Sequence, residues 1–122
     1  MIKAMIQQDS GNEFFTTEKC YITEISNSSD DPDVSIARAR VVSGVTTHWH
    51  RLRETTERYC ILSGEGLMEV GNLPPQKVYA GDVVLIPPMC RQRITNIGSK
   101  DLVFLAICTP RFSSDQYEDI ET

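Results

Sequence analysis

The chain holds two histidines, one residue apart, in His48-Trp49-His50. On an extended strand, residues i and i+2 project from the same face. The two imidazoles are therefore expected to converge, with Trp49 on the opposite side. Two convergent imidazoles make half of a divalent-metal site. Taken alone, the pair reads equally well as surface histidines. Glu54 and Glu57 follow in RETTERYCILSGEG. Alternation along that stretch puts Glu57, Tyr59 and Ile61 on one face. A carboxylate facing two histidines across a hairpin completes a two-histidine, one-carboxylate set, which suits iron, manganese, nickel, cobalt or zinc.

The elements that must position these groups read as strands. Short runs rich in Val, Ile, Thr, Tyr and Phe recur between Gly, Pro, Asn and Asp. Strands are expected near Phe14–Thr17, Cys20–Ser26, Ser35–Val42, Thr46–His50, Glu57–Leu62, Leu67–Val70, Gln76–Tyr79, Val83–Ile86, Gln92–Asn96 and Leu102–Cys108. SSDDPD from Ser28 to Asp33 breaks the chain with a proline and Asx-type residues, and GEG, GNLPP, AGD and NIGSKD punctuate the second half. No segment carries a helical repeat of apolar positions. Many short strands at close spacing argue for an all-β antiparallel sandwich or barrel.

A length of 122 residues suits one domain and leaves little room for a second. A net charge of −5 disfavours generic binding to nucleic acid or an anionic membrane. No apolar run reaches the roughly 18 residues of a membrane span. The opening MIKAMIQQDSGNEFF is too polar for a signal peptide, so a cytoplasmic location is expected. The four cysteines, Cys20, Cys60, Cys90 and Cys108, form no CxxC pair, which excludes a zinc knuckle or a thioredoxin motif. Packed, reduced thiols are the expectation.

GVTTHWHRLRETTERYCILSGEG resembles the first motif of the cupin family: a glycine, a HxH pair, a glutamate, then a glycine further on. GDVVLIPPMCRQRITN resembles the second: GD, an apolar run, a proline, a ligand position and an asparagine. MEVGNLPPQKVYA has the length of the hairpin between them. The resemblance spans roughly residues 35–109 and implies a double-stranded antiparallel β-barrel, or jelly roll, often dimeric, with a metal inside. On that basis residues 1–34 are N-terminal strands and a loop packed on the barrel, 35–109 the barrel core, and 110–122 a polar tail, either loose or one short helical turn. The resemblance further implies metal ligands at His48, His50 and Glu57, counted back from Gly64, and at Gln92, which stands where the family has a histidine. The proline falls on Pro87 or Pro88 and the asparagine on Asn96.

Three departures accompany the match. The gap from His50 to Glu57 is two or three residues longer than the usual pattern. Glu57 is preferred because strand and turn fix hairpin register while extra residues fit in a loop; Glu54 is the alternative ligand. Gln92 either ligates through its amide oxygen, with weaker affinity for borderline metals than imidazole, or only hydrogen-bonds a ligand or water. Met89 occupies a position where the family often has glycine, so its turn either avoids positive φ or holds Met89 under strain.

Around the expected pocket, Arg38 and Arg40 alternate with Ala37, Ala39 and Val41. Facing inward they would bind a substrate carboxylate or phosphate; facing outward they are solvated charges. Tyr59, sharing the Glu57 face, is either a substrate-binding or catalytic group or a core aromatic. Arg51, Arg53, Arg91 and Arg93 flank the ligand positions as a positive rim or as scattered surface charges. Two functions follow from the resemblance. One is a metal-dependent enzyme on a small organic acid, diketone or sugar derivative: a dioxygenase with iron, or an isomerase, lyase or decarboxylase with manganese, nickel or zinc, Glu57 serving as ligand or base. The other is a non-catalytic module that binds a metal or small molecule. A homodimer is expected in either case.

Overall fold

The computed structural model describes residues 2–121. Its strands are β1 (Glu13–Phe15), β2 (Tyr21–Ser26), β3 (Ser35–Val41), β4 (His50–Leu52), β5 (Thr56–Ser63), β6 (Glu65–Val70), β7 (Gln76–Tyr79), β8 (Val83–Ile86), β9 (Gln92–Asn96), β10 (Leu102–Thr109) and β11 (Tyr117–Asp119). They form two antiparallel sheets, a six-stranded one ordered β1-β2-β3-β10-β5-β8 and a five-stranded one ordered β11-β4-β9-β6-β7. Period-two burial drives this pairing of layers. In β5, Glu57, Tyr59 and Ile61 are buried while Arg58 and Cys60 are less so; in β9, Gln92, Ile94 and Asn96 are buried. Val41, Ile61, Ile86, Ile94, Leu102 and Phe104 fill the space between the sheets.

Two residues of the motifs act on the backbone. Gly64 turns β5 into β6 with φ +88°, and a Cβ there would lie 2.6 Å from the Asp101 carbonyl oxygen and 2.8 Å from Leu102 Cα. Only glycine fits that approach. Asn96 donates from its amide nitrogen to the carbonyls of Val41 and Lys100 (2.8 Å each) and accepts from the Gly98 N–H (2.9 Å), tying the end of β3 to the β9–β10 loop. Met89 does sit at positive φ, +66°. This is the strained alternative of the two that the sequence allowed.

Two elements differ from expectation. The strand expected over 46–50 exists only as a single bridge, Thr46 to Thr95; regular pairing starts at His50 and continues to Leu52. Before His50 the chain is held by other contacts: the His48 N–H donates to the Glu18 carbonyl, and Trp49 donates from its N–H to Glu121. The acidic tail contributes a 3-10 turn at Ser114–Gln116 and then β11, which pairs with β4 through Tyr117–Leu52 and Asp119–His50.

Candidate active site

A cavity of about 240 Å³ opens between the sheets, its floor on β3, β4, β5 and β10. The loop after β1, together with Phe112 and Tyr117, closes it. Its lining carboxyls and imidazole are Glu18, Glu24, His50 and Glu57, with no lysine or arginine among the lining residues. Phe14, Ile22, Leu52 and Ala106 supply apolar wall.

His50 opens β4, directly opposite Gln92 on β9, and its side chain is almost fully enclosed. Its Nδ1 lies 2.8 Å from the His48 carbonyl oxygen and 3.4 Å from a Glu18 carboxylate oxygen. A carbonyl can only accept, so Nδ1 carries the proton and Nε2 is left as the lone-pair nitrogen. The ring stacks on Tyr117 at 5.2 Å between centroids. Burial holds the imidazole below its ordinary pKa, favouring its neutral form, against the opposing pull of the His48 carbonyl, Glu57 and Asp119.

Glu57 faces the same cavity from β5. Its Oε1 accepts a 2.8 Å hydrogen bond from the Gln92 amide nitrogen. Burial pushes its carboxyl up to about 7, against the opposing pull of His50 and Gln92. Glu18, from the β1–β2 loop, is also raised to about 7, again by burial. One neutral imidazole and two carboxyls that titrate near neutrality thus share one enclosed space. Two buried polar atoms here lack a protein partner: Gln92 Oε1 and the Tyr117 hydroxyl. Of the two residues, Tyr117 lines the cavity, where a ligand can meet its hydroxyl.

Several expected site residues lie elsewhere. His48 is on the far side of the strand entry, its Nδ1 3.0 Å from Asp119 on β11, and does not line the cavity. The i, i+2 rule fails for it because the strand has not yet begun at residue 48. Glu54 is exposed in the β4–β5 turn at φ +64°. Arg38 and Arg40 face outward, Arg38 to Asp9 at 2.8 Å and Arg40 to Glu13 at 2.7 Å and Asp101 at 3.2 Å. The inward face of β3 belongs instead to Ser35 and Ala37, which line the cavity. Tyr59 is a core aromatic, 4 % exposed and stacked on Phe104 at 4.2 Å. Arg51 and Arg53 pair with Glu118, and Arg93 with Glu69, so no positive rim forms from them. Trp49 faces outward as expected, with the Arg91 and Arg93 guanidiniums 4.4 and 4.3 Å from its ring centre. Cys20 and Cys108 are buried thiols with pKa values raised by burial, Cys108 to about 12, which suits packing and not nucleophilic attack.

The residues present do not fit a metal ion. Among the described residues no three His, Cys, Asp or Glu side chains gather closely enough to hold one, so His48, His50 and Glu57 are not a donor set. The second inward position of β4 is Leu52, a carbon surface, and Gln92 turns an N–H donor, not its oxygen, toward Glu57.

Sequence reasoning missed Glu18, Leu52 and Tyr117. Glu18 lies in a polar turn, TTEKC, that reads as solvated; only the folding of that loop over the sheet encloses it. Tyr117 lies in an acidic tail with no strand signal. Leu52 had a signal, the overlong gap between His50 and Glu57.

Residues 38–108 match the family model for the cupin domain. The uncharacterised protein MJ1618 of Methanocaldococcus jannaschii is 37% identical over 87 residues, 71% of this chain and 69% of that one. Among solved structures, a Klebsiella pneumoniae protein with a double-stranded β-helix domain superposes with a TM-score of 0.77 at 15% identity, covering 98% of this chain and 100% of that one. Pac13, a Streptomyces nucleoside dehydratase, superposes with a TM-score of 0.79 at 16% identity, covering 98% and 92%. At these identities the structural likeness is one of fold.

Proposed function

Because the chain belongs to the cupin family, we propose that it is a small-molecule enzyme that works by acid–base catalysis between His50 and Glu57, of the lyase or isomerase class. The observation that carries this reading is the imidazole and the Gln92-held carboxyl facing one cavity. His50 Nε2 takes a proton from a carbon next to a substrate carbonyl. The protonated fraction of Glu57 gives its proton to a leaving hydroxyl, which departs as water while a double bond forms, or back to a neighbouring carbon in an isomerisation. General acid–base groups work best with pKa values near the operating pH, and burial brings Glu57 there. The dehydratase among the structural neighbours supports the class.

The cavity also points to the kind of substrate. Carboxyls and hydroxyls line it without a cationic side chain, so a sugar derivative or other uncharged carbonyl compound suits it better than an organic acid. At about 240 Å³ it lies just below the roughly 300–1,000 Å³ of drug-sized ligand sites, which indicates a compact molecule. The homodimer and the cytoplasmic location expected from sequence stay part of this proposal.

Metal-stripped protein in D₂O with a panel of hydroxy-aldehydes, hydroxy-ketones and nucleosides tests it by proton NMR. The expected result is solvent deuterium at a carbon next to a carbonyl, or an unsaturated product, lost at least a hundredfold in His50→Gln. Ligand binding with no exchange on any substrate would favour the non-catalytic module. Activity appearing only on adding a divalent ion would overturn the acid–base reading.

A further inference from the structure

We infer that His50, Leu52, Glu57 and Gln92 form the frame of a divalent-metal centre in which Leu52 and Gln92 replace two donors, so that installing histidine at those two positions completes the site.

Strand register argues for this first. Taking the histidine pair of the first motif as His48 and His50 leaves the gap to Glu57 too long by two or three residues. Taking the pair of positions as 50 and 52 removes two residues from the gap and leaves the spacing from Glu57 to Gly64 untouched. β4 supports the second reading, because it runs from His50 to Leu52 and both side chains are buried on the cavity side, at 3 % and 4 % exposure. Side chains two apart on a strand share a face, and here that rule applies to positions 50 and 52.

Adjacency comes next. His50 and Gln92 are direct cross-strand partners, and Gln92 reaches Glu57 at 2.8 Å. His50, Leu52 and Glu57 therefore line one cavity, with Gln92 bonded to Glu57, and two of the four, imidazole and carboxylate, are metal-ligand types.

Chemistry then explains why the frame stays without an ion. Leucine offers no lone pair. Gln92 presents the positive end of its amide dipole to Glu57, where a cation would otherwise act, and its Oε1 is left buried without a partner. Histidine is close in size to both residues it would replace, so the substitutions change donors more than packing. None of this depends on the acid–base reading.

Cobalt(II) titration of untagged, EDTA-treated protein tests the inference, read by visible absorption, with zinc(II) competition. Wild type is expected to bind only weakly. Leu52→His with Gln92→His should bind one ion per chain at least a hundredfold tighter. In that background His50→Ala should abolish the gain and His48→Ala should leave it intact. Gln92→His alone should gain about tenfold, and it decides the matter if thermal melting shows the double variant unfolded. Tight one-to-one binding by wild type that His48→Ala removes would overturn the inference. So would a folded double variant, or a folded single variant, no tighter than wild type.

Discussion

Glu57→Gln should change how stability depends on pH more than it changes stability at any one pH. In the folded chain the Glu57 carboxyl is raised from 4.5 to about 7 by burial. Between those values the folded state keeps a proton that the unfolded chain has lost. A group with a raised folded-state value contributes fully below its unfolded pKa, and the contribution disappears as pH rises through the folded one. At 1.4 kcal/mol per pH unit, the window is worth about 3 kcal/mol, a large part of a typical 5–15 kcal/mol folding free energy. Glu18 acts in the same direction. His50, held below its ordinary 6.5, acts in the opposite direction as pH falls. Comparing wild type with Glu57→Gln cancels both to first order, since the amide is nearly isosteric and does not titrate. Urea unfolding at pH 5, 6, 7 and 8 supplies the free energies. Because pH 5 already lies above the unfolded value, the stability of wild type relative to the variant should fall by about 2–3 kcal/mol from pH 5 to pH 8. A flat difference, or one that grows with pH, would refute the reasoning that burial sets the Glu57 proton.

Gly64→Ala should cost about 3 kcal/mol and roughly 10 °C of melting temperature, since the new Cβ meets backbone at 2.6 Å. Gly81→Ala, at φ +94° with open space around it, should cost only about 1 kcal/mol, and equal losses at the two sites would remove the role given to the close approach. Met89→Gly should stabilise the chain by up to about 1 kcal/mol in urea unfolding, because φ +66° strains any side chain. Tyr117→Phe deletes a buried hydroxyl with no protein partner, so it should raise stability by about 1 kcal/mol while weakening ligand affinity several-fold by calorimetry.

How much of this was legible in the chain depends on the range of the signal. Period-two alternation is local, and it located β5, β7, β8 and β9 to within a residue at either end. It also put Glu57 inside. The motif glycine and asparagine were legible because backbone geometry demands them: Gly64 at its close approach, Asn96 with its three backbone contacts. The site failed in one specific place. HWH looked like a strand pair, but tertiary contacts to Glu18, Asp119 and Glu121 hold residues 48 and 49 off the sheet. The inward pair became His50 and Leu52. Glu18 and Tyr117 were not legible at all. Each is brought to the cavity by a segment distant in sequence and polar in character, so no local pattern marks it. The arginines of β3 alternated as well as any inward set, and only their acidic partners, far along the chain, turned them outward.

The proposed chemistry requires His50 to be a buried neutral imidazole whose Nε2 is the free base. With two histidines in the chain, long-range proton–nitrogen NMR correlation on ¹⁵N-labelled protein, assigned with His48→Ala, reads both rings directly. At pH 7 His50 should show a protonated Nδ1, an unprotonated Nε2 and a pKa below 6.5. A proton on Nε2 alone, or a fully charged ring at neutral pH, would contradict it.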